Sequence, residues 1–128
     1  MPGFDYDDYI ACFNGDDFDG FGKYYHDDVV FELGEKKRIV GRDAILDFYR
    51  EVKSRIRETL EILSMVGNDD HVAVHVRTEF PALEDWPDFI AGPPRKGESL
   101  WTEGFGCYYL RDGKVARILG ARLRTLQR

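Results

Sequence analysis

Cysteine is scarce in this sequence, and the motifs that hold metals or nucleotides are missing. Cys12 and Cys107 are the only cysteines in 128 residues. Two are too few for the disulfide framework of a small secreted domain, so we expect buried free thiols. The three histidines, His26, His71 and His75, share no metal-ligand spacing with a third ligand, and no phosphate-binding glycine loop follows a strand. We therefore predict no metal and no cofactor.

Basic charge and long apolar runs are also lacking. The chain has 18 Lys and Arg against 24 Asp and Glu, a formal net charge of -6. This balance disfavours nucleic acid and anionic membranes, because both are bound by basic surfaces. No apolar run approaches membrane-spanning length, and the first residues lack the basic and apolar regions of a secretory signal. We expect a cytoplasmic protein with no nucleic-acid or membrane partner.

Aromatic residues, by contrast, are plentiful. Nine Phe, seven Tyr and two Trp make up 14% of the chain, so large rings must fill a core or line a cavity. A chain of this length fits one domain, residues 1–128, and buries roughly two thirds of its unfolded surface. The composition therefore favours a single domain with an aromatic core or pocket.

Three helices are predicted in the first half of the chain. The first has apolar residues at helical spacing and ends at Asn14-Gly15, a pair suited to a left-handed C-cap. Asp16 or Asp17 can cap a second, short helix. The third and longest begins at Gly41-Arg42-Asp43. The apolar faces of the first and third helices are formed by Tyr6, Tyr9, Ile10 and Phe13, and by Ile45, Phe48, Tyr49, Val52 and Ile56.

Strands are predicted over residues 29–33 and 38–40, and then over 59–66 and 72–80. In the last of these, valines alternate with polar residues, so Val72, Val74 and Val76 should be buried. His75 should then lie on the opposite face, where water or a partner subunit covers it. A proline-rich stretch from Pro81 to Glu98 follows, and so irregular a segment is typical of a lid or binding loop. Its Trp86 and Phe89 either close over a pocket or anchor the loop.

A long hairpin is predicted over residues 99–123. Asp112-Gly113 is the strongest short-range hairpin signal, because a type I′ turn needs positive φ at both central positions. If the pairing is regular, Leu110 faces Val115, Tyr108 faces Arg117 and Glu103 faces Arg122. Together with the helices, this order of elements indicates an α+β fold with one curved sheet.

At this point the chain resembles a known family. Residues 9–16, 25–29, 41–45 and 111–115, which read YIACFNGD, YHDDV, GRDAI and RDGKV, resemble segments of the nuclear transport factor 2-like superfamily. The segment GPPRKG at residues 92–97 resembles the SnoaL-like polyketide-cyclase branch. The resemblance implies a cone-shaped α+β half-barrel of the cystatin-like kind, with three N-terminal-half helices packed on a curved antiparallel mixed sheet around an apolar pocket. It also implies a small-molecule ligand and a homodimer formed through the outer sheet face.

The positions of the family's usual catalytic acids are not acidic in this sequence. Ketosteroid isomerase, a member of the superfamily, uses an Asp base beside an oxyanion hole of a Tyr and a protonated Asp. Tyr9 falls at the tyrosine position, but the base position holds Leu33, and the protonated Asp falls on Gly106 or Cys107. The carboxylates that the cyclases and epoxide hydrolases place on late strands are missing from residues 120–124.

Glu103 and Arg122 are the most suggestive polar pair. A charged pair among aromatic rings would be partly desolvated, which tunes a carboxylate for proton transfer, and Arg122 could also hold a substrate carboxylate. A structural ion pair at a sheet face or dimer seam is the alternative. Tyr9 would donate to a ligand oxygen, or would be plain core. The residues expected to wall the cavity are Trp101, Phe105, Tyr109, Val74, Val76, Thr78 and Phe13.

We therefore predict a homodimeric pocket protein for an apolar or ring-bearing metabolite. One hypothesis is a cofactor-free isomerase, cyclase or dehydratase with Tyr9, Glu103 and Arg122 as its catalytic residues. The alternative is a non-catalytic ligand-binding or dimerisation module, which the missing carboxylates favour. A third hypothesis is that the chain is a subunit whose sheet forms part of a complex with a partner enzyme.

Overall fold

The computed structural model of the protein describes residues 4–89 and 95–126. These residues form three helices and six strands in the predicted order. The helices are α1 (Tyr6–Asn14), α2 (Phe18–Gly22) and α3 (Arg42–Arg55), and the strands are β1 (Tyr25–Leu33), β2 (Lys37–Val40), β3 (Thr59–Gly67), β4 (His71–Pro81), β5 (Ser99–Arg111) and β6 (Lys114–Leu126). None of the helices in these residues is long and apolar enough to cross a membrane.

The six strands form one open sheet in the order β2-β1-β6-β5-β4-β3. Neighbouring strands are antiparallel except β1 and β6, which run parallel. The sheet is therefore mixed, as predicted, and β6 lies inside it between β5 and β1. The three helices pack against the sheet and leave its other face uncovered within the described residues. The predicted α+β class is confirmed.

The caps of the first two helices follow the sequence closely, with one correction. Asp5 caps α1 and Asp17 caps α2, each by accepting a backbone N–H with its side chain. The left-handed residue after α1 is Asp16 at φ 58°, whereas Gly15 has φ -88°. Gly15 still donates to the Ala11 carbonyl, so the reversal comes one residue later than predicted.

The predicted hairpin turn is confirmed, but the register beyond it is not. Asp112 and Gly113 both have positive φ, 55° and 79°, as a type I′ turn requires. Leu110 faces Val115 as predicted, and two bulges then each add one residue to β6. Tyr108 consequently faces Ile118 and not Arg117.

The two bulges together separate the predicted Glu103–Arg122 pair. Beyond them, Glu103 faces Arg124, while Arg122 faces Gly104. Because successive side chains of a strand point to opposite faces, a one-residue slip exchanges the faces of a strand. The predicted pair is therefore wrong.

The core lies between the helices and the concave face of the sheet. Fully buried rings from α1, α2 and β1, those of Phe13, Phe21 and Tyr25, pack there with Ile45 of α3. On β4, Val74, Thr78 and Phe80 are buried, whereas Val72 and Val76, also predicted to be buried, are half-buried. Burial of each fully buried apolar side chain contributes about 2 kcal/mol. A second small cluster joins Val52 and Ile56 of α3 to Phe80 and Phe89.

Candidate functional site

A cavity of about 830 Å³ opens on the concave side of the sheet, next to the aromatic core. Its walls include the rings of Tyr6, Phe31, Tyr49 and Tyr108. A volume of this size is in the range of small-molecule binding pockets. The arrangement therefore provides a concave site with several aromatic rings in its wall.

The floor of the cavity is made flat by glycines on the two central strands. Gly106 of β5 and Gly120 of β6 face one another, and Gly104 lies two residues away from Gly106 on the same side. A Cβ on Gly106 would come within 3.3 Å of Val74 Cγ2, and one on Gly120 within 3.3 Å of Leu33 Cδ2. Without side chains here, a planar ring can approach the backbone of the sheet.

Glu58 is the buried carboxylate of the cavity. It lies in the short connection between α3 and β3, and only 9% of its surface is exposed. Within the described residues no donor forms a hydrogen bond to its carboxylate. Burial raises the pKa of Glu58 to about 7, and the attraction of Lys53 only partly opposes this rise. A carboxyl group with a pKa near neutrality can both take and return a proton.

Lys53 fixes the connection that carries Glu58. Its Nζ donates to the Phe13 carbonyl, to Asp16 Oδ1 at 2.7 Å and to the backbone carbonyl of Glu58 at 3.1 Å. The lysine is itself buried, with 7% of its surface exposed. One cation thus ties the end of α1 to the residue that holds the carboxylate, and its three bonds satisfy it.

Two tyrosines bring hydroxyl groups to the cavity. Tyr6 donates to the Tyr108 hydroxyl oxygen across 3.3 Å, and both rings line the cavity. The pKa of Tyr108 is raised because burial outweighs the hydrogen bond that it accepts from Tyr6. Burial also raises the pKa of Tyr6 and of Tyr49. These phenols therefore stay protonated, and the Tyr108 hydroxyl has its own proton to donate to a ligand oxygen.

Three of the residues predicted to wall the cavity line it: Val74, Val76 and Thr78. Phe13 is core, with 1% of its surface exposed, and is not among the lining residues. Tyr9 is also core: its hydroxyl pairs with that of Tyr25 at 2.7 Å, and Tyr6 takes the place at the cavity that was expected for it.

The odd-numbered residues of β5 lie mainly on the opposite, convex face. Trp101 and Tyr109 are not part of the cavity lining, so their predicted position is wrong. Phe105 contributes to the lining, but its ring stacks on His75 of β4, and 47% of its surface is exposed. The sequence left open which face of the hairpin lines the cavity. In the structure, the even-numbered residues of β5 line it.

Glu103 also lies on the convex face. Its carboxylate pairs with His75 Nε2 at 2.5 Å and lies 3.6 Å from Arg124 Nε. Arg122 is exposed at the cavity rim, where its Nη1 donates to Thr125 Oγ1 at 3.0 Å. The catalytic roles predicted for Tyr9 and Glu103 stay predictions, and neither residue borders the cavity.

The proline-rich stretch is only partly described, since residues 90–94 fall outside the described part of the chain. The segment at residues 92–97 that resembles the SnoaL-like branch therefore lies partly outside it too. Phe89 is buried against α3 and Phe80, and Trp86 stacks on Phe89 with the Arg55 guanidinium over its ring. Neither ring lines the cavity, so both anchor the described part of the loop.

Glu58 is the residue that sequence reasoning missed. It stands between Arg57 and Thr59 with no motif around it, and its burial depends on how α3 ends. A usable sign was the sequence Lys53 to Glu58 at the end of an amphipathic helix, where a lysine and a glutamate flank the apolar Ile56. Cys12 and Cys107 are both free and half-buried. No group of three His, Cys, Asp or Glu side chains suited to a metal occurs in the described residues.

The chain belongs to the SnoaL-like domain family, whose model matches residues 6–118. No curated protein matches the sequence. A candidate polyketide cyclase of Pseudomonas putida has a similar structure at 21% identity, with a TM-score of 0.79 and coverage of 90% of this chain and 86% of that one. A LEH-like epoxide hydrolase of M. tuberculosis gives 14% identity, a TM-score of 0.74 and coverage of 91% and 78%.

A candidate ketosteroid isomerase of Kribbella flavida is also similar, at 21% identity, a TM-score of 0.69 and coverage of 96% and 78%. At these identities the structures show the fold alone. They confirm the predicted cone-shaped α+β architecture, and the family model confirms the predicted resemblance to the SnoaL-like branch.

Proposed function

We propose that this protein binds a ring-bearing small molecule in the concave cavity and transfers a proton on it, with Glu58 as acid and base. The observation that carries the proposal is a carboxylate placed in an aromatic cavity with no hydrogen-bond donor among the described residues. A structural carboxylate would be expected to have partners, because burying it without them is costly. A polar group kept in this state is typical of a site that acts on a ligand.

The residues suit proton abstraction next to a carbonyl group. Glu58 takes a proton from carbon, the C–H electron pair moves to the carbonyl oxygen, and the resulting enolate accepts a hydrogen bond from the Tyr108 hydroxyl. Glu58 then returns the proton, either to another carbon, which is isomerisation, or to a leaving hydroxyl, which is dehydration. The proton that Glu58 removes is the one it returns, and no electrons are gained or lost overall, so the step needs no cofactor.

A deuterium-exchange experiment tests this function. The bicyclic ketone 2-tetralone is incubated with the protein in D2O, and loss of its α-proton signals is followed by NMR. We expect exchange above the buffer rate, and we expect Glu58→Gln to reduce it by about 100-fold or more, the usual scale for a general base. Glu51→Gln is the matched control, since Glu51 lies exposed on α3. Exchange that persists in Glu58→Gln would remove Glu58 from the chemistry.

A non-catalytic binder is the second candidate. It is favoured by the cavity lining contributed by β5 and β6, which contains no carboxylate among the described residues. Here 2-tetralone would bind and raise the melting temperature, but its α-protons would exchange only at the buffer rate. The same experiment therefore separates an enzyme from a binding module.

The convex face is the proposed homodimer interface. It exposes apolar side chains that a monomer would leave in water: Phe105 with 47% of its surface exposed, Val66 with 72% and Val40 with 53%. Phe105→Glu should convert a dimer to a monomer in sedimentation equilibrium. Leu83→Glu, at an exposed apolar residue of the loop after β4, is the control that should leave the dimer intact. A wild-type protein that sediments as a monomer would refute the interface.

A further inference from the structure

Arg122 is an arginine at the cavity that has no acidic partner. It faces Gly104, which has no side chain to meet it, and it lines the cavity rim on β6. Its guanidinium makes one hydrogen bond, from Nη1 to Thr125 Oγ1 at 3.0 Å, and no carboxylate lies within ion-pair distance of it in the described residues. Most of its five N–H donors are therefore free to bind a ligand.

Arg122 is one of four arginines without an ion pair among the eleven of the described residues, the others being Arg38, Arg57 and Arg95. Seven other arginines of the described residues form ion pairs with Asp or Glu: Arg42, Arg50, Arg55, Arg77, Arg111, Arg117 and Arg124. With a formal net charge of -6, acidic side chains are abundant. Arg124 lies two residues from Arg122 and pairs with Glu103 on the convex face. Of the four described arginines without an acidic partner, Arg122 is the one that lines the cavity.

Arg122 and Glu58 lie far apart within the cavity. Arg122 is level with Ile62, three strands away in the sheet, and Glu58 lies four residues before Ile62. Three strand spacings of about 4.8 Å and four residues of about 3.3 Å put them about 20 Å apart along the curved sheet. Gly104 faces Arg122, and the other glycines of the floor, Gly106 and Gly120, lie two residues farther from Glu58.

The charges at the rim favour an anion over a cation. Besides Arg122, the lining includes Lys36 and Glu35 of the turn between β1 and β2, and Arg124. Glu35 and Lys36 offset one another in charge and Arg124 is paired with Glu103 on the convex face, so Arg122 supplies the excess positive charge at the mouth. An arginine binds a planar carboxylate through two parallel hydrogen bonds, which suits a ligand held in one orientation.

We propose that the ligands of this cavity are ring-bearing carboxylic acids, bound with the carboxylate on Arg122 and the rings over the glycine floor. The proposal rests on the proposed function only in using the same cavity. It adds the ligand class and names Arg122 as the residue that selects it.

Two isosteric compounds test the proposal: 2-naphthoate, an anion, and 2-naphthamide, its neutral counterpart. Their dissociation constants are measured by calorimetry on the full chain. We expect 2-naphthoate to bind more tightly, and Arg122→Gln to weaken its binding about fivefold while 2-naphthamide binding stays the same. Arg117→Gln is the matched control, because Arg117 is on the same strand but pairs with Glu32 away from the cavity.

Equal binding of the two compounds, or a loss with Arg117→Gln as large as with Arg122→Gln, would overturn the selection of carboxylates. Absence of binding by both compounds would overturn it as well. Either result leaves 2-tetralone exchange as a separate measure of Glu58, since that ketone carries no charge. If the proposed function fails, 2-tetralone will exchange its α-protons only at the buffer rate, while 2-naphthoate will still bind more tightly than 2-naphthamide through Arg122.

Discussion

Glu58→Gln is expected to change how the stability of this protein depends on pH. The carboxyl group has an ordinary pKa of 4.5 and a pKa of about 7 in the folded protein, since burial disfavours its charged form. Glutamine has nearly the same size and stays neutral at every pH. The substitution therefore removes the ionisation and retains most of the packing.

The sign follows from where the proton is held. Below pH 4.5, Glu58 is protonated in both the folded and the unfolded state, so its burial does not bury a charge. Between pH 4.5 and about 7, the unfolded chain ionises while the folded protein keeps the proton, so the free energy of unfolding falls as the pH rises. At about 1.4 kcal/mol for each pKa unit, the loss is about 3 kcal/mol above pH 7. This is a large part of the 5–15 kcal/mol that typically stabilises a domain.

Urea unfolding at pH 4.5, 6, 7 and 8.5 measures the effect. The difference between Glu58→Gln and wild type should be near zero at the lowest pH and should grow to about 3 kcal/mol in favour of the variant at the highest. The other carboxylates are the same in both proteins, so their contributions to the difference in unfolding free energy cancel. Glu51→Gln, at an exposed residue of α3, should show no pH-dependent difference. If the unfolding free energies of Glu58→Gln and wild type differ by the same amount at every pH, the pKa of Glu58 is not raised by burial.

Three further substitutions test the site. Val76→Phe should place a ring in the cavity and abolish 2-naphthoate binding by calorimetry, whereas Val66→Phe, on the exposed convex face, should not. Lys53→Met should lower the urea-unfolding free energy by about 3 kcal/mol, because two buried carbonyls lose their donor, and should raise the pKa of Glu58 further in an NMR carboxyl titration. Tyr108→Phe should slow 2-tetralone exchange by about 100-fold with binding retained; unchanged exchange would show that Tyr108 does not donate to the enolate.

The sequence was sufficient for the fold because its local patterns are strong and agree with one another. Helical spacing on α1 and α3, valine alternation on β4 and the turn at Asp112-Gly113 each specify an element, and the structure has all of them. The register of the last hairpin was not predictable in the same way. A bulge depends on the twist of the whole sheet and on glycines such as Gly104, where a Cβ would lie 2.5 Å from the Ala121 carbonyl oxygen. No single stretch of sequence carries that information.

The candidate site was harder to predict for a related reason. The two bulges move Arg122 from Glu103 to Gly104, and alternation along β5 puts Glu103 on the convex face and glycines and threonines at the cavity. The residues that the sequence placed correctly, Val74, Val76 and Thr78, are on β4, whose pairing with β5 is regular throughout. The wrong pairing of Glu103 with Arg122 therefore falls in a strand pair that is irregular, as β1–β6 and β3–β4 also are.

The flat floor explains why the acid of this site comes from outside the sheet. Glycines at the centre of β5 and β6 open the space that a ring needs, and a carboxylate on the same positions would fill it. A group that reacts with the ring must then reach the cavity from its edge, and the connection after α3 is such an edge. Lys53 holds this connection through the Glu58 backbone and gives its remaining bonds to Phe13 and Asp16. Its hydrogens are thereby occupied, so the lysine positions Glu58 without donating to the carboxylate, and burial keeps the pKa of Glu58 near neutrality.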